Sequence, residues 1–148
     1  MNIHGEISAA LKDAMREKDE AKLTSLRSVL TAIKNREKDV HRPLEDPEII
    51  LLISTQIKQR KESIDLYRKG GRQDLVKAEE REIQILQAYM PEAISVEEMS
   101  QTLDEVISEV GALSIKDMGK VMKAAMAKLA GRADGRAINE MVRKKLSG

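Results

Sequence analysis

Apolar residues recur every three or four positions along nearly the whole chain, and no strand-like alternation interrupts them. The first stretch puts Ile3, Ile7, Ala10, Leu11, Ala14 and Met15 on one stripe, closed by the polar break Glu17-Lys18-Asp19. The second turns Leu23, Leu26, Val29, Leu30 and Ile33 inward and ends before the loop Val40-His41-Arg42-Pro43-Leu44-Glu45. Asp46-Pro47 reads as a helix start, a capping carboxylate followed by proline where the missing N–H has no helical partner anyway. From there Ile50, Ile53, Ile57, Ile64 and Tyr67 outline a long helix, stopped at Gly70-Gly71 because glycine adopts the left-handed terminal conformation cheaply. A fourth helix is expected from Asp74 to Met90, with Leu75, Val76, Ile83, Leu86 and Tyr89 on its apolar side and Pro91 ending it. These elements predict an N-terminal domain over residues 1–91, built as a pair of helical hairpins.

A second set of start and stop signals follows. Ser95-Val-Glu-Glu98 is a capping box leading into Met99, Leu103, Val106, Ile107 and Val110, with Gly111 as the terminator. Ser114-Ile-Lys-Asp117 repeats the signal more weakly ahead of Met118, Val121, Met122, Ala125, Met126 and Leu129. Gly131-Arg-Ala-Asp-Gly135 reads as a turn, with Asp134 the cap of a last helix that buries Ile138, Met141, Val142 and Leu146. Residues 92–148 are thus expected to form a small three-helix domain, and the fold class is all-α.

Composition narrows the chemistry. The chain has no cysteine, phenylalanine or tryptophan and only two tyrosines, Tyr67 and Tyr89, so its core must be aliphatic, with eight methionines among the fillers. The longest strictly apolar run, Ile49 to Ile53, is far too short to span a membrane, and the first residues lack the basic start and apolar stretch of a signal peptide. A cytoplasmic location without membrane association is the expectation.

The net charge of +1 hides an asymmetry. Residues 1–110 carry 17 Lys and Arg against 22 Asp and Glu, a balance of −5; residues 111–148 carry 9 against 3, a balance of +6. On a helical wheel Lys116, Lys120 and Lys123 form one narrow stripe opposite Met118, Val121, Met122, Ala125 and Leu129. In the last helix Arg136 and Arg143, flanked by Lys144, lie opposite Ile138, Met141 and Val142, and the intervening turn adds Arg132. A phosphate backbone suits such a surface. The scarcity of aromatic rings argues against base stacking on single strands and favours the backbone and shape of a folded RNA. The turn could offer backbone N–H groups to a phosphate, but Asp134 as the cap would fill that position and repel an anion.

Catalytic constellations fail one at a time. His4 and His41 are the only histidines, one near the terminus and one in a loop, and no nucleophile–base pair is supported. Gly119-Lys120 resembles the end of a nucleotide-binding loop, yet the required glycine is Ser114 and the required Ser or Thr is Val121. Glu79, Glu80 and Glu82 point in different directions at helical spacing, as solvated charge rather than a metal site. No catalytic residue, cofactor or metal is expected.

The stretch Lys116-Asp-Met-Gly-Lys-Val-Met122, followed by Leu129-Ala-Gly-Arg-Ala-Asp-Gly135 and Asn139-Glu-Met-Val142, closely resembles the GatB/YqeY family, and the whole chain resembles its stand-alone YqeY-like members. Matching stretches earlier in the chain are Leu26-Arg27, Ala32-Ile33-Lys34-Asn35, Gln59-Arg-Lys-Glu-Ser-Ile64, Gly71-Arg-Gln-Asp-Leu75 and Tyr89-Met-Pro91; Ala127 stands where many relatives are expected to have proline. The resemblance implies a tail like that of the B subunit of the tRNA-dependent amidotransferase, which contacts tRNA while chemistry proceeds in a separate domain without counterpart here. Similar tails are also attached to some glutaminyl-tRNA synthetases. The matching motif is Lys116–Met122 together with Gly131–Gly135, with Asp117, Gly119, Gly131, Asp134 and Gly135 as its structural positions.

Two functions of different class follow. The first is an accessory protein that binds tRNA or another structured RNA through Lys116, Lys120, Lys123, Arg132, Arg136, Arg143 and Lys144. The second is an adaptor whose acidic N-terminal hairpins bind an aminoacyl-tRNA synthetase or an amidotransferase. A carbon–nitrogen ligase role with glutamine as amido donor lacks any catalytic constellation. A monomer is expected.

Overall fold

The computed structural model describes residues 2–147, and these form seven α-helices with a single 3-10 turn. The fold is all-α. The chain divides into two compact units, Met1–Met90 and Pro91–Gly148.

In the first unit α1 (Ile3–Glu17) and α2 (Glu20–Val40) form one hairpin, and α3 (Asp46–Lys69) and α4 (Gln73–Gln87) the other. The first hairpin turns within two residues. Lys18 closes α1 in the left-handed region at φ 58°, and Asp19 caps α2 by accepting from the Lys22 N–H at 3.2 Å. His41 likewise ends α2 at φ 58°, so this histidine serves as a helix stop.

Asp46 does not cap α3. Glu45 holds the cap position, and Asp46, one residue inside, accepts the Ile3 N–H at 3.0 Å through Oδ1. That bond ties the start of α3 to the start of α1, a long-range use that no local pattern announces. The loop before α3 is held by Glu37, which accepts from the Leu44 N–H at 2.8 Å, and by a two-pronged pair of Arg42 with Glu48 at 2.7 and 3.0 Å. Helix α4 stops at Gln87, short of the expected Met90. Tyr89 and Met90 donate to the carbonyls of Leu86 and Gln87, three residues back, and this tightened turn leads into Pro91.

Ile3, Ile7, Leu26, Val29, Ile33, Ile49, Ile53 and Leu86 form the centre of this unit's core. Met15, expected inside, is 54% exposed. It lies about 100° round the helix from Ala14 and so falls off the edge of the stripe. Conversely Ile85 is buried, although the sequence pattern favoured Ile83 and Leu86.

The second unit packs α5 (Val96–Val110), the 3-10 turn Ile115–Asp117, α6 (Met118–Leu129) and α7 (Gly135–Ser147) around Met99, Leu103, Val106, Val121, Ala125, Leu129, Ile138 and Val142. Ser95 caps α5 by accepting from the Glu98 N–H at 3.1 Å, and Gly111 ends it at φ +68°. Only half of the expected capping box is used, because the Glu98 carboxylate is engaged elsewhere.

Candidate nucleic-acid interface

The basic segment is built on α6 and α7, which pack against each other through Val121, Ala125, Leu129, Ile138 and Val142. Burying one face of each helix forces the opposite face outward. Lys116, Lys120 and Lys123 therefore stand exposed as one row along the 3-10 turn and α6, and Arg136, Arg143 and Lys144 stand exposed on α7. Among the described residues none of these six side chains makes an ion pair.

The remaining three basic residues of the segment are spent internally. Lys128 pairs with Glu109 on α5 at 3.1 Å, and Lys145 reaches Asp104 at 2.7 Å and Ser100 Oγ at 2.8 Å. Arg132, predicted as a phosphate contact, is only 34% exposed and ties its turn to the start of the unit. Its Nε donates to the Glu92 carbonyl at 3.1 Å and its Nη2 to Glu98 at 3.2 Å, while its own carbonyl accepts from the Ile94 N–H at 2.8 Å.

The α7 face is less uniform than that of α6. By helical position Glu140 falls between Lys144 and the two arginines. Lys144 lines a shallow cleft of about 220 Å³ with Met99, Ala137, Glu140 and Met141, on the side facing α5. Arg136 and Arg143 lie on the other flank.

The start of the α6 row is capped by a side chain. The Asp117 carboxylate accepts from the N–H groups of Leu113 at 2.9 Å and Ser114 at 3.4 Å, and these bonds, helped by Lys120, hold it below the ordinary aspartate range. Asp134 caps α7 as expected, its Oδ1 accepting from the Arg136 N–H at 3.3 Å, so that helix start is already occupied by an anion. Gly131 is required by its φ of +73°. A Cβ placed at Gly135 would meet the Met126 methyl at 3.8 Å, an ordinary contact. Gly119 differs from both. It is exposed in the first turn of α6, beside the lysine row, and a Cβ placed there would meet nothing within 4 Å.

Among the described residues no three His, Cys, Asp or Glu side chains gather in a metal-holding group, and no helix is long and apolar enough to cross a membrane. His4 is exposed in α1 and His41 ends α2.

Residues 4–146 match the model of the Yqey-like protein family. Relatives in fungi bear the name altered inheritance of mitochondria protein 41, mitochondrial. The one from Eremothecium gossypii is 42% identical over 103 residues, 68% of this chain and 56% of that protein. Those from Lachancea thermotolerans and Pyrenophora tritici-repentis are 38% and 33% identical, covering 74% and 86% of this chain and 63% and 71% of the relatives. The chain thus spans little more than half the length of the first of these proteins. The expected cytoplasmic location is overturned by these relatives, which are mitochondrial by name. That expectation rested on lacking a secretory signal and a membrane span, and neither lack bears on import into an organelle.

Proposed function

Because this chain belongs to the Yqey-like protein family, we propose that it is a non-catalytic accessory protein that binds tRNA or another structured RNA through the outer faces of α6 and α7. The observation that carries this reading is the set of six exposed cations, Lys116, Lys120, Lys123, Arg136, Arg143 and Lys144, without an ion-pair partner among the described residues. Three other cations of the same segment do find carboxylates, so partners are within reach of the unit and the six are not arranged to use them. Charge left outward on a surface whose apolar face is buried fits a phosphate backbone. A link to tRNA-dependent amidation or aminoacylation rests on the resemblance to the amidotransferase tail.

The test is binding of the full chain to total tRNA across a salt series. Phosphate contacts by these six cations give a slope of log K against log salt of roughly −4 to −5. Replacing Lys120, Lys123 and Arg136 together by alanine should remove about 2 to 3 of that slope. Charge reversal at the same three positions should abolish binding. Absence of binding at low salt, or a slope unchanged in the triple variant, refutes the reading. The function would then lie with a protein partner such as a synthetase or an amidotransferase, the adaptor alternative.

A further inference from the structure

The loop that leads into α6 carries an apolar tip. Leu113 is 92% exposed, and Ile115, two residues on, is 45% exposed. Leu66 and Val96 are exposed too, but they stand singly on α3 and α5, and a lone aliphatic side chain on a surface needs no explanation. The tip differs because its two side chains act together. Ser114 between them is extended, at φ −154° and ψ 175°, so the side chains of Leu113 and Ile115 leave the chain on the same side.

The backbone behind them is closed on itself. The N–H groups of residues 111–114 and 116–118 all find acceptors within the chain. The Asp117 carboxylate accepts those of Leu113 and Ser114, and Ser114 Oγ accepts that of Lys116 at 3.3 Å. A segment whose donors are engaged can leave water without stranding them. The charges beside the tip are cationic. Lys116 follows Ile115 directly, and at 1.5 Å per helical residue Lys120 and Lys123 stand about 6 and 10 Å further along α6. The only acidic residue between Gly111 and Lys123 is Asp117, whose carboxylate is turned onto the loop.

An aliphatic tip below a cationic row selects the partner. Unstacked RNA bases are gripped by aromatic or guanidinium planes and by hydrogen bonds to their edges, and this tip has no ring and most of its N–H groups engaged. A bilayer takes aliphatic side chains at its acyl boundary, and anionic lipids attract cations to its surface. Its headgroup layer is roughly 5–8 Å deep on each side, a depth that the step from Lys116 to Lys120 spans. We propose that Leu113 and Ile115 enter the acyl boundary of an anionic lipid bilayer, with Lys116 and Lys120 among the headgroups. Surface attachment of this kind needs no spanning helix. It goes beyond the RNA reading and does not rest on it, since the lysines are common to both and the two aliphatic side chains are not.

The chain has no tryptophan, so Leu113→Trp places a single reporter at the tip of the full chain. It would be titrated with vesicles of phosphatidylcholine containing about one-third phosphatidylserine. Expected are a saturable blue shift of the emission and quenching by lipids brominated on their acyl chains, both lost in pure phosphatidylcholine or at high salt. Tryptophan itself favours membrane interfaces, so the parent chain and the double variant Leu113→Ser, Ile115→Ser are compared by sedimentation with the same vesicles. The double variant should bind about tenfold more weakly or worse, because two aliphatic side chains no longer leave water, and it should keep its helical circular-dichroism signal and its tRNA affinity. Lys116→Ala should cost about fivefold. No blue shift at low salt, or equal sedimentation of the double variant and the parent, overturns the proposal. So does a double variant that loses tRNA affinity and not vesicle affinity, which would assign the tip to RNA. The vesicle titration contains no RNA and the tRNA titration no lipid, so either reading can fail alone.

Discussion

Alanine at Gly119 should make this protein more stable and a poorer RNA binder. The residue sits in the first turn of α6, and beyond its chain neighbours and the helix's own backbone a prospective Cβ would meet nothing within 4 Å. Nothing in the chain itself therefore requires glycine there. A helical glycine is less favourable than alanine by about 0.5–1 kcal/mol, so Gly119→Ala should stabilise by that amount. For a unit of this size the gain corresponds to roughly 2–8 °C in Tm, read by differential scanning calorimetry. The same methyl group would stand beside Lys116, Lys120 and Lys123, on the surface where a phosphate backbone is proposed to approach. Displacing one or two charge-assisted hydrogen bonds weakens binding about tenfold, measurable in the tRNA titration at fixed salt. A higher Tm with unchanged RNA affinity would refute close approach at Gly119. A lower Tm would refute the account of the helix itself.

Arg132→Ala should separate a structural tie from a phosphate contact. Losing the Glu98 pair and the bond to the Glu92 carbonyl should cost about 1–2 kcal/mol of stability in denaturant unfolding, with tRNA affinity nearly unchanged; a large loss of affinity with stability intact would reverse the assignment. Glu48 offers a pH test. Its carboxyl is lowered from 4.5 to about 2, first by the Arg42 side chain and then by the Glu45 N–H, so the folded state releases its proton more readily than the unfolded chain. The pairing therefore contributes stability above pH about 4.5 that is lost as pH falls toward 2. The pair is open to solvent, so screening keeps its contribution to stability small. Arg42→Ala should return Glu48 toward the ordinary range in an NMR titration; a carboxyl that stays near 2 would assign the shift to the Glu45 N–H instead.

The sequence by itself determined the helices, their order and most of their ends. Ser95, Gly111, Asp134 and the glycines at 70 and 71 act on backbone groups a few residues away, and spacing of three and four residues reports which face of a helix is apolar. It also marked Lys116, Lys120, Lys123, Arg136 and Arg143 as outward. Tertiary structure decided which cations are left over. Lys128 meets Glu109 across 19 positions, Arg132 meets Glu98 across 34, and Lys145 meets Asp104 across 41. Asp46 bonds to Ile3 across 43 positions instead of capping its own helix. The sharing of Arg60 by Glu79 and Glu82 was equally hidden, because the two glutamates read as solvated charge until α4 packed them against α3. The reason is common to all of these. Periodicity and capping are local properties of one helix, whereas an ion pair between helices depends on which helices pack and how each is rotated about its axis.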